Sequence, residues 1–247
     1  MGKGSGLGDR VWISGVPVSG DVQTVALSMP TALLDVTGID KSAHERIPGL
    51  RDGKMALATY WNSAVGGIHT VLKTLPRTDV IGTYFRGYGL GSPAASLVAV
   101  QPNYDPTRGT DGSLIFKAEL DGDKYGLDWG VQLTNGPRTD TVATNGTSVD
   151  LLAPQSFGFQ AFLHVSAFTG TDVTVKLQDS ADNSTFADVA SGGFTQITAI
   201  TAQAQRIAVG GTATLRRYVR AVTVTTGGFT SVTFAVTVTQ NLGALLF

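Results

Sequence analysis

Alternation is the clearest pattern along the chain. Tyr125, Leu127, Trp129, Val131 and Leu133 are apolar, and Gly126, Asp128, Gly130 and Gln132 between them are small or polar. Period two sends successive side chains to opposite faces, so this stretch predicts a half-buried strand. Met55, Leu57, Thr59 and Trp61 alternate in the same way with Ala56, Ala58 and Tyr60, and so does Val80 to Arg86. Val22 to Ser28 is a short apolar run that stops at Met29-Pro30, and Leu114 to Leu120 predicts a strand ending at the turn sequence Asp121-Gly122-Asp123. Helical spacing occurs twice. Ile68, Val71, Leu72 and Leu75 fall on one face of a short helix that Pro76 ends. Ser42-Ala43-His44-Glu45 fits a capping box, and Pro48-Gly49 closes that second helix almost at once.

Downstream the pattern is strand only. Phe157 to Phe168, Asp172 to Gln178, Phe194 to Ile200, Arg206 to Val209, Thr214 to Thr225 and Phe229 to Thr239 are strand candidates, most of them β-branched. Turn residues separate them at Thr169-Gly170, Asp179 to Ser184, Ser191-Gly192-Gly193, Gly210-Gly211 and Gly227-Gly228. Short strands at such spacing predict a β-sandwich.

Composition divides the chain near Pro154. All nine prolines, all three tryptophans and all three methionines lie at or before it, and Lys176 is the only lysine beyond it. Thr134 to Ser148 is polar, with two Asn-Gly pairs, and reads as a linker. The expected organisation is a first domain over residues 1–135, with 1–10 as a flexible arm, a linker over 136–153, and a second, all-β domain over 154–247. The expected fold class is mainly β: a sandwich or barrel with one or two short helices, then an immunoglobulin-like sandwich.

Charge and chemistry narrow the function. Net charge is −1; residues 1–150 carry 13 Lys and Arg against 15 Asp and Glu, and residues 151–247 carry 5 against 4. A protein that seizes nucleic acid in solution carries a basic surplus, which is missing here. With no cysteine, disulfides and thiolate sites are excluded. The Gly-rich start is not a signal peptide, and no apolar run approaches the roughly 18 residues of a membrane span. His44, His69 and His164 lack metal-ligand spacing, and there is no nucleophile elbow or Walker loop. Gly87-Tyr88-Gly89-Leu90-Gly91 lacks the spacing of a dinucleotide loop and reads as a turn between strands, and the glycines of Gly2 to Gly8 follow no strand. No catalytic residue, metal site or cofactor is expected. Arg216, Tyr218 and Arg220 would share one strand face, a candidate surface-binding stripe whose ordinary alternative is the wet face of a sandwich.

A series of short motifs carries a resemblance. In order they are Leu33 to Ser42, His44-Glu45-Arg46-Ile47, Gly49 to Lys54 with the Met55 to Trp61 strand, the Ile68 to Leu75 helix, Thr83-Tyr84-Phe85-Arg86-Gly87, Pro93-Ala94-Ala95-Ser96, Thr107 to Ser113, and Gly126-Leu127-Asp128-Trp129-Gly130. Over residues 20 to 133 this order resembles the major tail (tail tube) proteins of siphophages that infect actinobacteria. Residues 155 to 247 lie outside it. There Gln178 to Phe186 and the last two strands resemble the immunoglobulin-like sandwich domains that decorate virion proteins.

The resemblance implies a non-enzymatic virion protein of the phage tail, assembled in the host cytoplasm as stacked hexameric rings around a lumen through which DNA is ejected. It implies as partners further copies of the chain, the tape measure, tail terminator and distal tail proteins, and viral DNA passing without specific binding. Host-surface contact would come through the C-terminal domain. Asp40, Lys41, Glu45, Arg46, Arg51 and Asp52 become candidates for an intersubunit or inter-ring loop. A lumen must let DNA slide, so its wall should be acidic or neutral; Asp111, Glu119, Asp121, Asp123 and Asp128 are the lumen candidates. The alternatives are another virion part, a head–tail completion or decoration protein, or a module binding the host surface.

Overall fold

The computed structural model describes residues 5–75, 78–199 and 201–243. The expected stop at Pro76, the end of the Phe194 to Ile200 strand, and Met1 to Gly4 of the expected arm lie outside the described residues.

The first strands are β1 (Arg10–Ile13), β2 (Val16–Pro17), β3 (Val22–Ser28), β4 (Thr31–Asp35), β5 (Arg46–Arg51) and β6 (Lys54–Tyr60). Helix α1 (Ile68–Leu72) comes next, then β7 (Val80–Phe85), β8 (Pro93–Arg108), β9 (Leu114–Gly122), β10 (Asp128–Gln132), β11 (Arg138–Asp140) and β12 (Val149–Asp150). The last are β13 (Phe159–Gly170), β14 (Thr174–Ser180), β15 (Ala187–Gly193), β16 (Gln203–Val209), β17 (Tyr218–Val224) and β18 (Phe229–Gln240). All pairings among them are antiparallel, and the protein is mainly β as expected. No sheet closes on itself among the described residues.

One large sheet runs β16-β13-β18-β10-β8-β7-β1-β2, with β9, β6 and β3 continuing from β8, and β11 beside β18. A second sheet has the order β12-β17-β14-β15, and β4 and β5 form a separate hairpin. Two apolar cores result. The first gathers Met55, Leu57, Ile68, Leu72, Leu97, Leu120 and Leu127 under α1. The second packs Leu163, Val165, Val236 and Val238 of the large sheet against Val175, Leu177, Val219 and Ala221 of the four-stranded sheet. Trp12, Phe85, Ala94 and Ala235 join the two. Packing therefore divides the chain near residues 127–133, while strand pairing crosses the division, because β18 pairs with both β10 and β11.

Burial explains the strands that lack alternation. Phe159 to Val165 and Ala94 to Ala99 are buried on both faces, so apolar residues stand at both parities and the few polar ones, Gln160, His164 and Ser96, are hydrogen-bonded inside. In β8 this run leads into Pro102 and Pro106, which lack N–H donors and belong at a sheet edge.

Four expectations are corrected. Residues 42–45 form no helix; they are the loop of the β4–β5 hairpin, where Leu34 opposes Ile47 and Asp35 opposes Arg46. There Thr37 N–H donates to Asp35 Oδ1 at 3.0 Å and Glu45 N–H to Thr37 Oγ1 at 2.9 Å, so the Glu45 donor that a capping box would have given to Ser42 is bonded within the hairpin loop. The linker contains β11 and β12, and Arg138 anchors it by donating to Asp140 Oδ2 at 2.7 Å and to the Ala221 carbonyl at 2.9 Å. The strand expected from Phe194 lies before it instead, as β15 (Ala187–Gly193), which takes in the expected turn at Ser191-Gly192-Gly193; of residues 194–199 only Ile197 bridges, to Val173. Asp182 accepts from Ser184 N–H and Thr185 N–H, both at 2.9 Å, and this turn sends the chain straight back beside β14. The end of the expected arm is tied down, since Arg86 Nη1 donates to Asp9 Oδ1 at 2.6 Å and Tyr84 also bonds Asp9.

Candidate functional site

Strands β3, β6, β9 and the C-terminal half of β8 form a half-sheet. The register sets three rows across it: Ser28–Lys54–Asp121, Ala26–Ala56–Glu119 and Thr24–Ala58–Lys117. Alternation turns Met55, Leu57, Phe116, Ala118 and Leu120 into the core, which leaves these rows on the opposite face. That face is small and polar in its centre. Lys54 Nζ lies 2.8 Å from Glu119 Oε2 and 3.4 Å from Asp121 Oδ1. The Glu119 carboxylate, first among these contacts, holds the lysine's pKa above its ordinary value.

Both lateral edges of this half-sheet are open. Among the described residues, strand β3 pairs with β6 alone. On β8, β7 stops at Ala99, and among the described residues no strand pairs with the far side of Asn103 to Arg108. Seven-residue β3 contains no charge and no proline, the devices by which edge strands avoid pairing.

The β4–β5 hairpin projects as an arm that is apolar on both sides. Leu34 and Ile47 are exposed on one face, Leu33 and Leu50 also lie open to solvent, and Ile39 is fully exposed at the tip. A lone two-stranded hairpin is marginal in water, and apolar groups on both faces need a cover. Its tip is fixed by polar contacts: His44 Nδ1 lies 2.8 Å from Asp35 Oδ2, and hydrogen bonds from Thr37 hold the Asp35 carboxyl below the usual carboxylate range. Asp40 and Lys41 pair at 3.5 Å, and Glu45 and Arg46 are exposed beside them.

The base of the arm is anchored within the chain. Arg51 Nη1 donates to Asp128 Oδ1 at 2.8 Å, and Gln160 Nε2 donates to Asp128 Oδ2 at 2.8 Å. Arg206 in turn bonds Gln160 Oε1 at 2.8 Å and stacks over Tyr125 at 3.5 Å. Asp52 N–H donates to the Pro30 carbonyl at 2.9 Å. Arg51 and Asp128 are therefore spoken for: Asp128 is buried and leaves the set of lumen acids, and Arg51 belongs to the anchored root of the arm.

The remaining lumen candidates are spread out. Glu119 and Asp121 share the half-sheet face. Asp111 sits in the β8–β9 loop, where hydrogen bonds from Ser113 lower its pKa, and Asp123 pairs with Lys124 at 2.7 Å beyond β9. The stripe also divides. Arg216 turns back to Asp179, its N–H donating at 2.8 Å, whereas Arg217, which sequence spacing passed over, makes a two-pronged bond to Asp150 at 2.7 Å and lies over Tyr218. Arg220 bonds Gln178 Oε1 at 2.7 Å and packs over Phe186 at 4.0 Å.

Among the described residues, no group of three or more His, Asp or Glu could hold a metal ion, and no helix is long and apolar enough to cross a membrane. His69 packs against Trp61 with ring centroids 3.9 Å apart and the rings tilted by 45°, and His164 is wholly buried.

The Bbp16 family model matches residues 152–238, less than half of the chain. No curated protein matches it. Solved structures with partial similarity include a chain of the virion of a native gene transfer agent particle, 11% identical with a TM-score of 0.42 over 51% of this chain and 98% of that one. The SPP1 Dit protein is 11% identical with a TM-score of 0.32 over 94% and 99% of the two chains. A chain of the phage p2 baseplate in its activated conformation is 11% identical with a TM-score of 0.36 over 94% and 98%. Such scores decide nothing about function.

Proposed function

We propose that the chain is a structural, non-enzymatic subunit of a phage tail that assembles into stacked rings forming the tail tube. The half-sheet with two open edges carries this reading. Pairing β3 of one copy with the free side of β8 in the next would add four strands per copy to a common wall and remove both edges at once. The motif order over residues 20 to 133 leads to the same family. The face bearing Ala26, Ala56, Ala58, Lys54, Lys117, Glu119 and Asp121 then lines the lumen, where small groups and charges that balance let DNA slide. The apolar arm covers a neighbouring copy, with Asp40, Lys41, Glu45 and Arg46 at the contact. Residues 154–247 face outward, where Tyr218 and Arg220 are available to a host surface. The tape measure, terminator and distal tail proteins are its further partners.

Engineered disulfides test the edge pairing. The natural chain has no cysteine. Thr24 and Asp105 stand in one row of the half-sheet, three strand spacings or about 14 Å apart, too far for a bond within one copy. Oxidation of the Thr24→Cys, Asp105→Cys double variant should produce covalent multimers ending at a closed ring, while either single variant stops at a dimer. A double variant that stays monomeric under oxidation, across a scan of neighbouring register positions, would refute the pairing.

A further inference from the structure

The two cores meet at a seam built around His164. Gly15 N–H donates to His164 Nδ1 at 3.1 Å, so that nitrogen is the acceptor. The proton of the neutral ring is then on Nε2, which donates to Thr83 Oγ1 at 2.8 Å. Thr83 continues to Ser96 at 2.9 Å, and Ser96 to Thr237 at 3.2 Å. This chain runs from the β1–β2 turn and the first core's strands to β13 and β18. The turn itself is tight: Ser14 and Gly15 have φ of 48° and 87°, and a Cβ on Gly15 would lie 2.4 Å from the Gln203 carbonyl oxygen and 2.5 Å from that of Val165.

We propose that His164 is an acid-opened latch on this seam: a proton on Nδ1 turns the acceptor into a donor facing Gly15 N–H, and the β1–β2 turn separates from β13. The inference does not rest on the assembly reading.

No charged group is poised to stabilise the protonated ring. From β1 it meets Trp12, from β7 Thr83 and Phe85, from β8 Ser96 through Thr83, and its register partners are Ala235 on β18 and Ala204 on β16. The charged groups on that side of the sheet are already engaged: Arg206 on β16 bonds Gln160, Asp128 on β10 bonds Arg51 and Gln160, and Arg10 on β1 lies over Tyr88. Burial alone pushes the His164 pKa down to about 3. In the open turn the ring regains its ordinary value near 6.5, so opening takes up one proton. The latch is therefore closed above about pH 6.5 and weakens about tenfold for each pH unit below it.

Amide hydrogen exchange of the full chain, corrected for the intrinsic pH dependence, reads this directly. Protection of residues 14–18 should fall about twentyfold between pH 7 and pH 5 and stay below that of either core at both pH values, because the turn opens before the cores unfold. His164→Asn retains an acceptor for Gly15 that cannot be protonated, and should abolish the pH dependence. If that variant does not fold, the wild-type result decides. Unchanged protection at residues 14–18, or protection there no lower than that of the cores at either pH, overturns the latch.

Discussion

Arg51 at the base of the arm and the buried Asp128 at the start of strand β10 are joined by a hydrogen-bonded ion pair of 2.8 Å. The contact spans 77 residues of sequence and sets the angle at which an otherwise exposed hairpin leaves the body. Gly53 lies directly beside it, and a Cβ there would sit 2.3 Å from the backbone nitrogen of Leu127. The arm is thus free along its length and fixed at its root, as a projection that must find a neighbour in a defined direction should be.

Asp128→Ala should destabilise the chain by about 2–4 kcal/mol in urea unfolding, because it strands Gln160 and leaves Arg51 without its partner. Arg51→Ala should cost less, since its side chain is 41% exposed. An Asp128→Ala variant as stable as the parent would remove the anchor from the account.

The arm should matter for assembly and hardly at all for folding. Ile39→Ser with Leu50→Ser removes apolar groups that meet solvent in the monomer, so unfolding should shift by no more than about 0.5 kcal/mol. Light scattering at rising concentration should show association weakened or lost. Unimpaired association would mean that the arm covers nothing.

Gly15→Ala combines a positive φ with a collision against the backbone of Gln203 and Val165. The neighbouring groups are backbone and cannot swing aside, so a loss of at least about 3 kcal/mol, or failure to fold, is expected in thermal unfolding. Gly8→Ala, with a positive φ but nothing within 4 Å of the added Cβ, provides the mild comparison.

Global stability should fall with acid through His164. Its folded pKa is depressed, so its contribution is complete above about 6.5 and is lost as pH falls toward 3. Between pH 6.5 and pH 5 the loss is about 2 kcal/mol, measured by urea midpoints. A midpoint shift that survives in His164→Asn would assign the acid sensitivity to other groups.

Much of the body was legible in the sequence because its strands have one wet face. The Met55 to Trp61 and Leu114 to Leu120 alternations correspond to β6 and β9, the centre of the half-sheet. The longest strand, β8, was not, because Ala94 to Ala99 is buried on both faces and the following prolines read as loop. The Ser42 to Glu45 segment satisfied a local capping rule, yet its residues serve a hairpin whose partner strand starts at Arg46. Asp128 looked like a surface acid on an alternating strand; only the fold brings Arg51 and Gln160 to it. Glu119 and Asp121 alternate outward with Lys117 and were accessible to pattern reading, whereas the open edges beside them are a property of topology.

Electron microscopy of the purified full-length chain at rising concentration tests the central claim most directly. Hollow rings that stack into tubes, with the C-terminal sandwich as knobs on the outside, are the predicted result. A chain that remains monomeric, or a closed ring that never stacks at any concentration, would contradict the tube, and the ring would point to a connector or hub instead.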